Sequence, residues 1–524
     1  MSETLVPASA DLAVQDAESS APVTPLAPAT PRSQPPDRPP REPLLARHWP
    51  GPAAVGPVPL AAAAGAGVLA AGLVPWGRVG LGWLLAGLAV CAATAAGVRF
   101  AGDGPTTAPA RRWESLAWGA TALVLLAVGG LRAAEWLFGL CLFAAAAATV
   151  LAVTGGRTVR GLALGALLVP VAAWRGTAWA YRGTDTLRGR VRPTVRVVPT
   201  IAITALVLLV FGALLASADA AFSRLLGNAV PRLDAGSLLG WTLRFAAGVA
   251  QVLAAVFLRR SRPTVDKPRP VRDRGIRLVE WAAPVGALVA LFAGFVGVQL
   301  TVLFGGASYV LGPDGPTYAE HARGGFWQLL AVTALTLLVI GVAAWVAPRR
   351  TAVERACLRG LLGALAALTL LIVASALFRM YTYQEAYGFT RLRVLVSVVE
   401  LWLGLVFVLV LVAGVRLRAG WLPRAVVATG VVAVLALAAL NPDRFIAERN
   451  LDRWAHGGQL DVSYLASLSA DAAPALVCLP EPERREALAG IRASLADAPE
   501  GWRDANLSRA IARDLLDGDA ACQR

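Results

Sequence analysis

A chain of 524 residues that is 56% hydrophobic and 16% charged is too apolar for an ordinary soluble domain, in which about a quarter of residues carry charge. Its net charge of +15 does not point to nucleic acid, because the basic residues lie in short stretches between long apolar segments instead of on one folded face. Those segments, with a mean hydropathy of +0.59, predict membrane helices, since a bilayer forces each backbone group to find its partner within the segment.

Residues 1–57 are rich in Pro, Ala and Ser, with eleven prolines in the first fifty positions. Such a segment cannot bury enough apolar area to offset chain entropy, so disorder is expected. The first fifty residues also lack the apolar core of a cleavable signal peptide. Spans are then predicted at 58–76, 79–98, 115–131, 136–154, 197–217, 237–258, 278–304, 327–347, 360–378, 394–415 and 425–440. A polar tail, 441–524, follows; apolar residues such as Leu465, Leu468, Leu488, Ile491, Leu507 and Ile511 recur at helical spacing there. The expected fold is all-α: a polytopic bundle of about eleven spans (twelve in the alternative) over 58–440, with a small helical extramembrane tail domain.

The alternative concerns 161–174, an apolar run interrupted by Pro170. Fourteen residues reach only about 21 Å at the helical rise, short of a hydrocarbon core of about 30 Å. Charge decides the case. If 161–174 does not span, the N-terminal segment and loops 99–114, 155–196, 259–277, 348–359 and 416–424 share one side and hold 30 of the 49 basic residues. If it spans, the Arg-rich loops conflict. The run is therefore expected to lie on the inner surface, with Trp174, Trp179 and Tyr181 in the headgroup region. The N-terminus is then cytoplasmic and the C-terminus extracytoplasmic. Arginine supplies all but one of the basic residues, and Ala and Gly are abundant; both suggest a GC-rich bacterial genome, hence a bacterial cell membrane.

Familiar chemical signatures are missing from the sequence: no phosphate loop, HExxH, GxSxG or CxxC. Three scattered histidines give little ground for a metal site, and no cofactor is expected. Cys478 and Cys522 both fall in the tail, where an exterior location would let them form a disulfide. Five of the seven tyrosines fall in two outer loops, 305–326 and 379–393. The residues there that could meet a small molecule, an envelope ligand or a partner are Tyr318, Glu320, His321, Arg323 and Trp327 in the first, and Arg379, Tyr381, Tyr383, Glu385, Tyr387, Arg391 and Arg393 in the second. The competing reading is an aromatic belt with solvated charges. Within the spans, Arg244, Gln299 and Glu400 are costly to bury. Arg244 and Glu400 are expected to pair, or to share an outer cavity with Gln299. Small residues crowd the first spans and permit close helix packing, a weak signal in so Ala-rich a chain.

The stretches YAEHARGGFWQL (318–329), YTYQEAYGFTRLRV (381–394), LNPDRFIAERNLDR (440–453) and LDVSYLASLSADAAPAL (460–476) resemble the bacterial polytopic membrane family known as domain of unknown function 4173, related to 4153. The resemblance covers roughly 110–524 and implies an integral membrane protein with its distinctive positions in the outer loops and the start of the tail. It carries no catalytic residues. Three functions remain open: transport or handling of lipid or envelope components, a scaffold or sensor with a partner-binding tail, and, least favoured, an outer-leaflet enzyme using Glu320, His321 or Glu385. A continuous polar tunnel would favour the first. A tail packed tightly over the outer loops would favour the second, and a closed pocket with paired carboxylates the third.

Overall fold

The computed structural model describes residues 49, 55–75, 77–100, 109–156, 158–188, 235–261, 277–304, 326–417, 419–496 and 501–518. All belong to the second of two units, Trp49–Arg524. The other unit, Met1–His48, lies outside the described residues, as do the expected span 197–217 and residues 305–325.

Every described regular element is a helix. The long ones are α1 (Pro57–Leu73), α2 (Gly82–Arg99), α3 (Pro109–Leu131), α4 (Glu135–Thr154), α5 (Val159–Arg188), α6 (Ala235–Arg260), α7 (Leu278–Phe304), α8 (Phe326–Val346), α9 (Ala352–Tyr387), α10 (Arg391–Arg416) and α11 (Leu422–Leu440). Ten of them, α2 to α11, are long and apolar enough to cross a membrane, and α1 is a shorter apolar helix. The chain is a multi-pass membrane protein. The tail adds α12 (Pro442–Ala455), α13 (Val462–Ala466), a 3-10 turn at Ala470–Ala472, α14 (Ala473–Leu476), α15 (Glu483–Ala496) and α16 (Leu507–Asp517).

Two boundaries differ from the sequence reading. The helix expected at 360–378 is α9, 36 residues long. It starts at a capping box, in which Thr351 Oγ1 accepts from Glu354 N and Glu354 Oε2 accepts from Thr351 N, both at 3.1 Å. Nothing in RMYTYQEAY breaks a helix until Gly388, at φ 82°. Residues 379–387 are therefore the last turns of α9 and not a loop. The run at 161–174 is likewise the middle of α5, a 30-residue helix that accommodates Pro170. Its 24-residue stretch Val159–Arg182 meets the length for a span, so shortness no longer excludes one.

Hydrogen bonds sort the helix ends into two faces. At one, Arg424, opening α11, donates to the Gly155 and Gly156 carbonyls just beyond α4, at 2.8 and 2.9 Å, and pairs with Glu114 in α3 at 3.1 Å. Arg259, near the end of α6, donates to Ser115 Oγ of α3. We term this the basic face. At the other face, the C-terminal ends of α1, α3, α9 and α11 meet the tail. α5 contacts groups at the basic face and also lies against Leu253 further into α6, where a methyl group placed on Gly176 would be 3.1 Å from the Leu253 carbonyl. Gly165 lies against Thr154 at the end of α4. Arg175 donates to the Trp49 carbonyl at 2.9 Å, Trp49 Nε1 donates to Ser261 O just past α6, and the Trp179 ring sits 6.1 Å from Phe257.

Apolar burial does not distinguish helix from lipid inside a bilayer, so close approach through small residues matters. α1 and α6 meet this way. A methyl group placed on Gly67 would lie 2.7 Å from Val249 Cγ2, and one on Gly248 would lie 2.9 Å from Ala70 Cβ. The tail is bound differently. Its buried residues Ile446, Leu465, Leu476, Leu488 and Ile491 join Leu125, Leu137, Phe138 and Leu437 of α3, α4 and α11 in one hydrophobic cluster. Helix and tail thus share a core there. Leu507 and Ile511, expected inside by spacing, are 54% and 42% exposed; the buried face of α16 is Ser508, Arg509 and Ala512.

Candidate functional site: the junction of the tail with the helix ends

An α-helix leaves its last four carbonyls and first four N–H groups without partners inside the helix. The tail supplies many of the partners at its face. Asn506 Nδ2 donates to the Gly129 and Arg132 carbonyls at 2.9 and 2.8 Å, closing the end of α3, and Ser508 Oγ, whose one proton is shared between Leu131 O and Asp471, lies 2.9 Å from Leu131 O. Arg503 Nη1 reaches Gly72 O of α1 at 2.7 Å, and its own carbonyl accepts from Gly82 N, the first residue of α2, at 2.8 Å. Arg509 donates to Val79 O at 2.8 Å. Asn450 brackets the residue after Gly388: its Oδ1 accepts from Phe389 N at 2.8 Å and its Nδ2 donates to Phe389 O at 2.9 Å. The end of α9 is thereby fixed by α12.

Two buried acids sit at the centre. Asn441 takes a left-handed conformation (φ 57°), and Pro442 starts α12, which turns Asp443 back towards α10. Asp443 is fully buried and binds Arg391 in bidentate fashion, Nε to Oδ1 at 2.9 Å and Nη2 to Oδ2 at 2.5 Å. Trp136 Nε1 and Ser469 N also donate to it, at 3.1 and 2.9 Å. Burial pushes the Asp443 carboxyl up, but Arg391 and Ser469 outweigh burial and hold it below the usual carboxylate range. Asp471 Oδ2 accepts from Ala133 N at 2.8 Å, Ala134 N at 2.9 Å and Ser469 Oγ at 2.9 Å, and Oδ1 accepts from Ser508 Oγ. It therefore occupies the N-terminal end of α4, where the helix dipole favours an anion. Burial, with a smaller contribution from the Asp443 charge, nevertheless lifts its carboxyl above the usual range against the pull of Ser508, Ser469 and Ala133. Tyr464 OH accepts from Arg391 N at 2.7 Å. These polar groups are consumed by one another and by helix ends, which is the arrangement of a latch.

The described outer-loop residues fall at the start of α8, the end of α9 and the start of α10. Tyr318, Glu320, His321 and Arg323 lie outside the described residues, and Trp327 is the second residue of α8. Arg379, Tyr381, Tyr383, Glu385 and Tyr387 belong to the last turns of α9. The Tyr383 and Tyr387 rings meet at a tilt of 35° with centroids 4.7 Å apart, and the Arg393 guanidinium lies 4.5 Å from the Tyr383 centroid. Arg393 also donates to the Tyr387 and Gly388 carbonyls, while Arg391 is taken by Asp443. The structure therefore brings Tyr383, Tyr387 and Arg393 together and gives Arg391 a separate role.

The intramembrane pair does not form. Arg244 donates to Gly240 O and Val74 O, whereas Glu400 is 1% exposed and neither of its oxygens has a hydrogen-bond partner among the described residues. Arg244 is long enough to reach the carbonyl at the end of α1, and that contact takes the place of the expected partner. Gln299 Nε2 is likewise buried without a hydrogen bond among those residues. Among the described residues no group of three His, Cys, Asp or Glu side chains could hold a metal. Cys478 is disulfide-bonded, Cys522 lies outside the described residues, and Cys91, Cys141 and Cys357 are free.

Reading residues one at a time missed Asp443, Asn450, Tyr464, Ser469, Asp471, Asn506 and Ser508. The signal for the first five was present, since they fall within LNPDRFIAERNLDR and LDVSYLASLSADAAPAL. No curated protein and no solved structure matches the chain. A family model does match, over residues 119–479, and it is not the 4173 family that the motifs resemble but the related 4153. Most of the junction falls within the match, and the chain belongs to the family described as Domain of unknown function (DUF4153).

Proposed function

We propose that this protein is a cell-envelope scaffold or sensor. On this reading its tail is an extracytoplasmic cap, latched onto the helix ends and offered to an envelope partner. The observation that carries the reading is the Asp443–Arg391 pair: a buried charge of the tail paired in bidentate fashion with a membrane helix. An enzyme would keep an acid free to meet substrate, and the two buried acids of the junction are both spent on binding the tail. Orientation rests on charge. The basic face collects Arg112, Arg259, Arg260 and Arg424 at helix ends, as a cytoplasmic side would. The tail carries more acids than bases. α5 then lies along the cytoplasmic surface, consistent with its contacts near Thr154, Trp49 and Phe257, and Cys478 pairs with Cys522 in the oxidising exterior.

The test is protease protection of the tail in right-side-out vesicles. The reading expects the tail to be reachable from outside yet resistant while latched, and to become sensitive in Asp443→Asn. It also expects that variant to lose its envelope phenotype in step with the released tail. A released tail with an intact phenotype would defeat the scaffold reading. Transport keeps one observation in its favour, the buried Glu400, which has no hydrogen-bond partner among the described residues.

A further inference from the structure

Glu400 is the acid that the latch does not use. It lies nine residues into α10, about 14 Å along the axis from Arg391 at the tail face. Two contacts between α9 and α10 bracket it. One turn towards the tail, Gln384 Nε2 of α9 donates to Ser397 Oγ at 3.2 Å, and Ser397 in turn donates to Arg393 O at 2.9 Å. One turn the other way, a methyl group placed on Gly404 would lie 3.3 Å from Val373 Cγ1 of α9. Positions 397, 400 and 404 fall along one side of α10, so Glu400 sits in the α9–α10 seam, below a polar step formed by Gln384 and Ser397.

Arg379 of α9 lies about level with Glu400 in the register of those two contacts, but neither Glu400 oxygen has a hydrogen-bond partner among the described residues, and the other charged groups are distant along their helices. α8 has none. α9 has none between Arg359 and Arg379, and α10 none besides Glu400 between Arg393 and Arg416. α11 has none beyond Arg424, and from α12 the acid that faces α10, Asp443, is already bound to Arg391. An ionised carboxylate buried at 1% exposure with no donor and no paired cation would carry a large desolvation cost. A proton is the counter-charge that needs no cavity.

We propose that Glu400 is a proton-binding site within the membrane domain, loaded from the tail-side water through the Gln384–Ser397 step. The carboxylate takes up one proton to become the neutral acid and returns it by the same route. The inference goes beyond the cap reading. A protonatable acid in a membrane helix is the element a proton-coupled sensor or carrier requires.

The experiment uses the full chain in lipid nanodiscs and dicyclohexylcarbodiimide, an apolar reagent that adds to a protonated carboxyl and stays attached as an N-acylurea. Peptide mass spectrometry reads the product at residue 400, with Glu400→Gln as the blank. Glu400 is expected to be modified in acidic buffer, with labelling falling about tenfold per pH unit above its midpoint. Gln384→Leu, which removes the polar step but not the acid, is expected to slow labelling several-fold when the proton is supplied by a pH jump. No modification at any pH would overturn the proposal, as would labelling that ignores pH. Unchanged kinetics in Gln384→Leu would overturn the route. Tail protease resistance, read on the same samples, shows separately whether the latch is intact.

Discussion

Asp443→Asn tests the latch at its centre. Asn is nearly isosteric and keeps one oxygen to accept from Trp136 or Ser469, so the apolar packing around Ile446 and Ala447 is undisturbed. What disappears is the charge that Arg391 meets with two hydrogen bonds. Removing one partner of a buried pair typically costs about 3–5 kcal/mol, because the other charge is left uncompensated. The Arg391 side chain is 31% exposed, so water recovers part of its loss. The lower end, about 3 kcal/mol, applies, which is more than a hundredfold in the docking equilibrium. The assay is the rate of tail cleavage by an added protease under native conditions, which follows the population of the open form. The double variant Asp443→Leu with Arg391→Met should recover most of that loss, since apolar groups of similar volume often replace a buried pair at little cost. A single variant within about 1 kcal/mol of the parent, or a double variant as open as the single, would refute the argument that buried charge holds the tail.

Acidification should act on the two tail acids with opposite sign. The Asp471 carboxyl is raised, so its proton is bound more tightly in the folded state, and that contribution is lost as pH rises through its folded value. The Asp443 carboxyl is depressed, so its contribution is present above the unfolded value and lost as pH falls through the folded one. Tail protease resistance is therefore expected to hold through mildly acidic buffer and fail only below the ordinary carboxylate range; failure in mildly acidic buffer would contradict this. Replacing Cys522 with Ser should abolish the mobility difference between reduced and non-reduced protein. In the chain-entropy model the loss of a loop of about 44 residues removes about 4 kcal/mol of tail stability. Gly67→Val should overpack the α1–α6 contact at a cost of about 1–3 kcal/mol, read as a lower melting midpoint in detergent. Gly65→Val, with no atom within 4 Å of a methyl group placed there, should leave that midpoint in place.

The all-α membrane architecture was legible in the sequence because apolar length is itself the physical requirement for a span. Boundaries were less so. Ala352–Tyr387 outruns the expected span at both ends because Thr351 and Gly388, not the edge of the apolar run, decide where the helix starts and stops. Pro170 suggested an interruption, yet α5 runs through it. Arg391 was singled out as a ligand residue from its loop-like surroundings. Its true partner, Asp443, lies 52 positions away, and no local pattern encodes that distance. Arg244 and Glu400 were matched on depth alone. Depth gives no azimuth, and the Arg244 side chain turns to the end of α1. Asp471 was invisible for a further reason: its partners are the backbone N–H groups of Ala133 and Ala134, which carry no side-chain signature.

The most direct test of the cap is accessibility to a membrane-impermeant maleimide on intact cells, in a chain whose native free thiols have been replaced. Trp502, 63% exposed on the tail, and Val353, 67% exposed at the start of α9, are each changed to Cys in separate chains. Labelling of Trp502→Cys on intact cells, with Val353→Cys labelled only after lysis, is the result expected of an extracytoplasmic cap. Labelling of Val353→Cys on intact cells, or of neither before lysis, would contradict it.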